Sequence, residues 1–410
     1  MRAVTNQAST SHIPVGAVAA TAAGFVICMA ATTLPTPLYD LYAKRFGFHT
    51  LTITVLFAVY AAGVVLMLVL FGQLSDAVGR RPVMLSAVAI SVASSLILAW
   101  APGLSLLVLG RVVSGVAAGL MTGAGTAAVI DLFPPGRRAA GSTLAVAANT
   151  GGLALGTLLA GVLADLASRP LMTPYLVQVV LGVLAGAGLL VATRPRVAAG
   201  RKFRFSRPRV PAGIRGNFVR ADLSGGATFA VTGVLTSVSA LFLVTVLHNT
   251  SHVLAGSVVA IVFVFMAGGQ LAGRRMTPHR AMLVGCAGLV LAGVVLLLAL
   301  TLHSLAALLI AAVALGASGG MCLNAGVATT VGQVREDQRG GVSSAYFAGL
   351  YVFLAFPAIG VGVIAAHTTL ITAGVILCIL VIALAIAIGG FEFSAGRSAA
   401  TGPDSEASRE

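Results

Sequence analysis

A chain of 410 residues that is 58% hydrophobic and only 9% charged falls outside the water-soluble class, in which about a quarter of residues are charged. Its formal charge of +14 would suit a nucleic-acid binder only if the cations shared one face. They fall instead between apolar runs, so nucleic acid is not an expected partner.

Twelve of those runs can cross a ~30 Å hydrocarbon core as helices rising ~1.5 Å per residue. They cover roughly 15–38, 51–73, 83–101, 105–130, 139–163, 174–193, 221–247, 253–273, 281–302, 305–331, 341–365 and 369–391. Rich in Ala, Leu, Val and Gly, they lack the two-residue alternation of barrel strands. An all-α integral membrane protein of twelve transmembrane helices is expected. With a cytoplasmic amino terminus, 21 Lys and Arg residues lie on cytoplasmic segments, and only Lys44, Arg45 and Arg169 lie on outer loops. This positive-inside bias predicts a multi-pass plasma-membrane protein, such as one of a bacterial inner membrane, with both termini in the cytoplasm. Residues 1–14 carry a single Arg ahead of the first run, so that run is expected to stay as an uncleaved helix. All four cysteines (Cys28, Cys286, Cys322, Cys378) sit inside the runs, which implies neither a disulfide nor a metal site.

The first span ends in Pro35-Thr36-Pro37-Leu38-Tyr39, and Asp40 follows. Asp40 either titrates beside a cation of the interior or belongs to an outer-loop cluster with Lys44 and Arg45. After the second span comes Gly72-Gln73-Leu74-Ser75-Asp76-Ala77-Val78-Gly79-Arg80-Arg81-Pro82. Gly72 and Gly79 permit close approach and a tight turn, Asp76 sets one negative charge beside Arg80 and Arg81, and Pro82 suits a first helical turn. The segment reads either as a conformational latch or as a loop anchor.

The fourth span carries Arg111, at the head of a four-residue stripe with Gly115, Gly119 and Gly123. A charge within a span costs ~2.5–3.5 kcal/mol at the bilayer centre, so it faces a wet interior and a partner or snorkels to the nearer surface. Asp40 is the acid of the first span available to pair with it. The fifth span holds Asn149 and the glycine run Gly152, Gly156 and Gly161.

Residues 194–220 join spans 6 and 7 with nine basic residues, no acidic one and three prolines. This basic linker is either a solvated loop or a surface for anionic lipid. Beyond it the seventh span shows a hydroxyl stripe, Thr228, Thr232, Thr236 and Ser239. The eighth ends in Gly269-Gln270-Leu271-Ala272-Gly273-Arg274-Arg275, 197 residues after the first Gly-Gln-Leu. At an offset of 200, Gly119, Met121, Ala128 and Gly141 overlie Gly319, Met321, Ala328 and Gly341. The repeat predicts two pseudo-symmetric halves: 1–193, the linker 194–220, 221–391, and a tail at 392–410. Asn324 in the tenth span and Tyr346 and Tyr351 in the eleventh complete the candidate cavity set with Asn149, Thr232 and Thr236. Each either contacts a solute or bonds a neighbouring helix.

Gly72, Leu74, Ser75, Asp76, Gly79, Arg80 and Arg81 match the loop signature Gly-x-Leu-[Ala/Ser]-Asp-x-x-Gly-Arg-[Arg/Lys] at every defined position. Through that motif, the helix count, the duplication and the basic central loop, the chain resembles the major facilitator superfamily. The resemblance implies two six-helix bundles rocking about a midplane cavity, with Asp76 and its arginines latching the outward-facing state. The second copy lacks the acid, so a latch would be one-sided. Arg111 and Gly115 look like the family's fourth-helix motif associated with proton coupling in exporters. The glycine run at 152–161 is a degenerate match to the exporter signature Gly-Pro-x-x-Gly-Gly.

The expected function is proton-coupled efflux of a small lipophilic compound by a monomer. The driving force is a proton gradient and no cofactor or metal is needed. Proton-symport import or facilitated passage of a metabolite is the alternative. A polytopic enzyme or sensor finds no support, since no His-Glu-x-x-His or nucleotide-binding glycine loop appears.

Overall fold

The computed structural model of the protein describes residues 13–72, 74–192 and 210–400, side chains excepted at 76, 336–337 and 395–400. The linker stretch 194–209 and the tail beyond 400 lie outside the described residues. Among the described residues, twelve helices are long and apolar enough to cross a membrane. Lipid offers no hydrogen bonds, so a spanning segment satisfies its backbone internally, and these runs do so as helices.

In chain order the helices are α1 (Val15–Thr33), α2 (Tyr39–Phe46), α3 (Thr50–Phe71), α4 (Leu74–Val78), α5 (Arg80–Ala99), α6 (Leu104–Asp131) and α7 (Arg138–Leu166). There follow α8 (Thr173–Ala192), α9 (Arg215–Thr245), α10 (His252–Gly273), α11 (Pro278–Thr301), α12 (Leu305–Thr329), α13 (Glu336–His367) and α14 (Leu370–Ala400). Ser251, Thr277 and Ser304 cap α10, α11 and α12 by accepting backbone N–H bonds from Leu254, Arg280 and Ala307.

The first span departs from the expected single helix. α1 stops at Thr33, and a 3-10 turn at Thr36–Leu38 redirects the chain into α2. Pro35 and Pro37 supply no N–H, so a continuous α-helix would lose two backbone bonds within three residues, and the chain passes instead into the 3-10 turn. Gly47, at φ 69°, then ends α2 in a left-handed conformation that glycine adopts freely. Asp40 therefore lies on a helix folded into the body, not on an outer loop, and is 1% exposed.

The sequence repeat reappears as a packing repeat. α3 packs on α6, α5 on α6, α5 on α8, α1 on α7 and α1 on α8; correspondingly α10 packs on α12, α11 on α12, α11 on α14, α9 on α13 and α9 on α14. Between the halves, α3 meets α13 and α7 meets α10, two pairings that exchange under the same correspondence. The peripheral α8, α11 and α14 turn large aliphatic side chains outward, among them Val180, Leu184, Leu291, Leu298, Ile379 and Leu380. Such a belt is the surface that lipid covers.

The even number of spans puts the start of α1 and the end of α14 on one side. Arg80, Arg81, Arg138, Arg215, Arg220 and Arg274 gather there, at the basic end; Asp40, Asp165 and His252 lie at the opposite, far end.

Candidate functional site

Arg111, the eighth residue of α6, is buried within the amino-terminal half, 2% exposed. Its Nη1 donates to the Thr32 carbonyl at 2.9 Å and its Nε to the Leu56 carbonyl at 3.5 Å. The guanidinium lies 4.4 Å from the centroid of the Tyr60 ring. A desolvated cation–π contact is worth about 2 kcal/mol and a hydrogen bond to a charged group ~1.5–3 kcal/mol. Together these offset the ~2.5–3.5 kcal/mol insertion cost, so the side chain stays inside instead of snorkelling. The glycine stripe explains how the site closes. A Cβ on Gly115 would collide with the Tyr60 carbonyl, and one on Gly63 would lie 2.7 Å from the Val112 carbonyl. Only bare backbones let α3 and α6 approach this closely.

Tyr60 links this cation to the other half. Its ring lies 6.3 Å from that of Tyr351 on α13 in an edge contact, and Tyr351 in turn meets Phe229 of α9 at 5.9 Å. Arg111 and Tyr351, both nominated by sequence, thus share one aromatic bridge through a residue the sequence did not single out. The hydroxyl stripe of α9 is buried: Thr236 donates to the Thr232 carbonyl at 2.6 Å, whereas the Thr232 and Ser239 hydroxyls are buried without partners. Ser239 lines an apolar crevice with Val238, Phe242, Leu296 and Leu300. The Asn149 carbonyl oxygen and the Tyr346 hydroxyl are likewise buried and unpartnered. Asn324 packs against Gly273, where a Cβ would lie 3.1 Å from its amide nitrogen.

Asp40 does not meet Arg111. Its Oδ2 lies 3.3 Å from the Lys44 Nζ and its Oδ1 3.3 Å from the His252 Nε2. The other face of that imidazole belongs to Asp165, whose Oδ1 is 2.6 Å from Nδ1. Asp165 also accepts the His252 and Val253 backbone N–H groups, both at 3.0 Å, and the Ser251 hydroxyl at 3.2 Å. A carboxylate at the end of α7 therefore caps the positive end of α10 across the boundary between halves. Gly161 brings the helices together, since a Cβ there would lie 2.5 Å from the His252 carbonyl. Neither Asp165 nor His252 is among the candidates nominated from the sequence. The available signal was an acid near the end of the fifth span and Ser251-His252 opening the eighth on the same side.

At the basic end, Gly72 abuts Ser344 of α13, and Gly79 takes φ 105°, which favours glycine. The Arg80 Nη1 donates to the Ser75 hydroxyl at 2.6 Å and its Nε meets Asp131 at 3.4 Å; Arg81 donates to the Leu190 carbonyl at 2.6 Å. These contacts tie the turn to α6 and α8 of its own half. The Asp76 side chain lies outside the described residues. In the second copy, Arg274 does cross between halves, donating to the Thr143 and Ser142 hydroxyls at 3.0 and 2.9 Å. Of the linker, Arg220 is docked: it pairs with Glu392 at 3.4 Å and lies over the Phe391 ring at 5.0 Å. Asp222 lies seven residues into α9 against Gly349, with one carboxylate oxygen buried and unpartnered.

Comparison with known proteins agrees with this architecture. The family model of the Major Facilitator Superfamily matches residues 21–357. The MdtD protein of Klebsiella pneumoniae subsp. pneumoniae, whose name proposes a role in multidrug resistance, is 29% identical over 183 residues. That match covers 45% of this chain and 38% of the relative. The MdtD protein of Citrobacter koseri is 28% identical over 175 residues, 43% of this chain and 36% of its own length. The chain thus spans well under half the length of the curated relatives it matches. Among solved structures, a bacterial homologue of the human lysosomal transporter Spinster, inward-facing and unoccupied, superposes with a TM-score of 0.73 at 17% identity, covering 95% of this chain and 98% of that one. Its occupied inward-facing form gives 0.68 at 18%, covering 93% and 96%. At such identity the likeness concerns the fold.

Proposed function

The chain belongs to the Major Facilitator Superfamily and is a transporter, not an enzyme, and from that premise we propose that it exports a small lipophilic compound in exchange for protons. The basic end faces the cytoplasm of a bacterial plasma membrane, as the positive-inside bias favours. The halves rock about the α3–α13 and α7–α10 pairs and expose the space between them to each side in turn.

The observation that carries this reading is the buried Arg111, joined through Tyr60 and Tyr351 to the other half. A fixed interior cation whose aromatic neighbour spans the boundary registers any relative movement of the halves. Thr232 and Asn149 offer a few polar atoms within an otherwise apolar setting. That balance suits an amphipathic or neutral lipophilic solute better than a sugar, which needs dense hydrogen bonding. The MdtD relatives, named for multidrug resistance, favour export.

The test is a panel of neutral and anionic lipophilic solutes added to proteoliposomes with an imposed pH gradient and a trapped pH dye. Solute-evoked proton movement is expected. Arg111→Ala should lower that coupled flux roughly 10- to 100-fold, the equivalent of one or more lost charge-assisted bonds, while the protein still inserts. Arg111→Lys should rescue poorly, because an ammonium lacks the planar fork that bonds two carbonyls and stacks on a ring. Undiminished flux in Arg111→Ala would remove the residue from the mechanism.

A further inference from the structure

The far end holds an unbalanced set of charges. His252 of the carboxyl-terminal half lies between two carboxylates of the amino-terminal half. The 2.6 Å separation between Nδ1 and the Asp165 Oδ1 requires a proton on Nδ1, because two bare acceptors repel at that range. Asp165 already accepts two backbone N–H groups and a hydroxyl, as an ionised carboxylate does. A neutral imidazole protonated on Nδ1 has a lone pair on Nε2. Nε2 lies 3.3 Å from the Asp40 Oδ1, and both atoms are buried without a hydrogen-bond partner. The Asp40 side chain is 2% exposed and that of His252 13%, so water does little to separate them.

One proton between these atoms turns a buried repulsion into a charge-assisted bond. Among the described residues no further cation pairs with these two atoms: Arg45 on α2 lies over the Phe46 ring and Arg111 on α6 over the Tyr60 ring. Lys44 on α2 is engaged by the second oxygen of Asp40. Tyr39 and Tyr42, also on α2, are neutral, and Tyr42 bonds to the Tyr175 hydroxyl at 2.9 Å. Of the helices packed against α10, α9 carries Arg215, Arg220 and Asp222 toward the basic end, and α12 carries only Cys322, also toward that end. His248, four residues before His252, lies in the preceding loop.

We propose that the Asp40 Oδ1 and the His252 Nε2 form a proton-binding site whose occupation closes the far end of the transporter. Both carboxylates belong to one half and the imidazole to the other, so parting the halves dismantles the site. A proton taken from the far-side solution therefore favours the closed arrangement, and its loss lets the ends separate. The proposal extends the proton-coupled reading by naming the residues at which a proton acts on the gate.

The test uses the full-length protein in lipid nanodiscs without solute or gradient. Spin labels are placed at Ser168→Cys and Thr250→Cys, exposed positions on the two sides of the gate, and their separation is measured from pH 8.5 to 5.5. This range brackets ordinary imidazole titration near pH ~6.5. The short-distance population should grow as pH falls. His252→Gln should flatten that dependence, and Asp40→Asn should weaken it. His252→Arg, permanently charged, should hold the short distance at every pH and also serves as a check against misfolding in the glutamine variant. A wild-type distance that ignores pH, or His252→Gln with the full pH dependence, overturns the proposal. Because no solute is present, either result leaves the solute-evoked proton flux a separate question.

Discussion

The helices α7 and α10 run together from one side of the molecule to the other, yet they are fastened differently at their two ends. At the far end the tie is ionic: Asp165 accepts four contacts from residues 251–253, and Asp40 closes on the opposite side of the same imidazole. At the basic end Arg274 donates to two neutral hydroxyls, Ser142 and Thr143, in an exposed setting. Both ties are charge-assisted, since Arg274 is a cation and Asp165 an anion, but the far end gathers four bonds on one carboxylate with a second carboxylate beside the same imidazole, whereas the basic end has two bonds to hydroxyls. Two ends of one helix pair thus carry unequal strength, and the stronger end is the one a proton can address. On the proposed alternating cycle that asymmetry is useful, because the gate under chemical control must outlast the one that yields.

The comparison breaks most visibly with Asp165→Lys. That change sets a cation against the positive end of α10 and should abolish far-end closure, moving the labelled pair almost wholly to its long distance at every pH. Next is Gly161→Val, which inserts side-chain atoms where the His252 backbone lies. Overpacking costs about 1–3 kcal/mol, so the closed population should fall roughly 5- to 100-fold at pH 5.5, measured by the same distance distribution. Asp40→Asn removes one carboxylate but keeps the Asp165 cap. A lost hydrogen bond to a charged group, about 1.5–3 kcal/mol, sets the upper limit for its effect at low pH, with almost none at pH 8.5. Arg274→Ala should be the mildest, within about 1 kcal/mol, less than a fivefold change in population and none in pH dependence. An Arg274→Ala effect as large as that of Asp165→Lys would show that the two ends are fastened alike.

Much of this fold was legible because lipid imposes a simple rule. Long apolar runs mark the helices, and Gly72-Gln73-Leu74 with Gly269-Gln270-Leu271 marks the duplication. The break in the first span was readable in Pro35 and Pro37, yet their reach was not, since α2 gains its place from contacts with α9 and with His252 of α10 that no local pattern announces. Arg111 stood out because a charge within a span is costly, whereas its partners are two backbone carbonyls and an aromatic face, none of which leaves a sequence signature. The pairing with Asp40 was expected from charge alone. The tertiary arrangement gave Asp40 to His252, 212 positions away, and such long-range partners emerge only when both halves are placed together.

The central claim is that the far end must part for transport to occur. A series of thiol cross-linkers of increasing length, joining Cys at positions 168 and 250 in proteoliposomes, tests it directly. The shortest linker should arrest solute flux, a long flexible one should restore it, and each single-cysteine variant treated alike should transport normally. Undiminished flux with the shortest linker quantitatively in place would contradict the account.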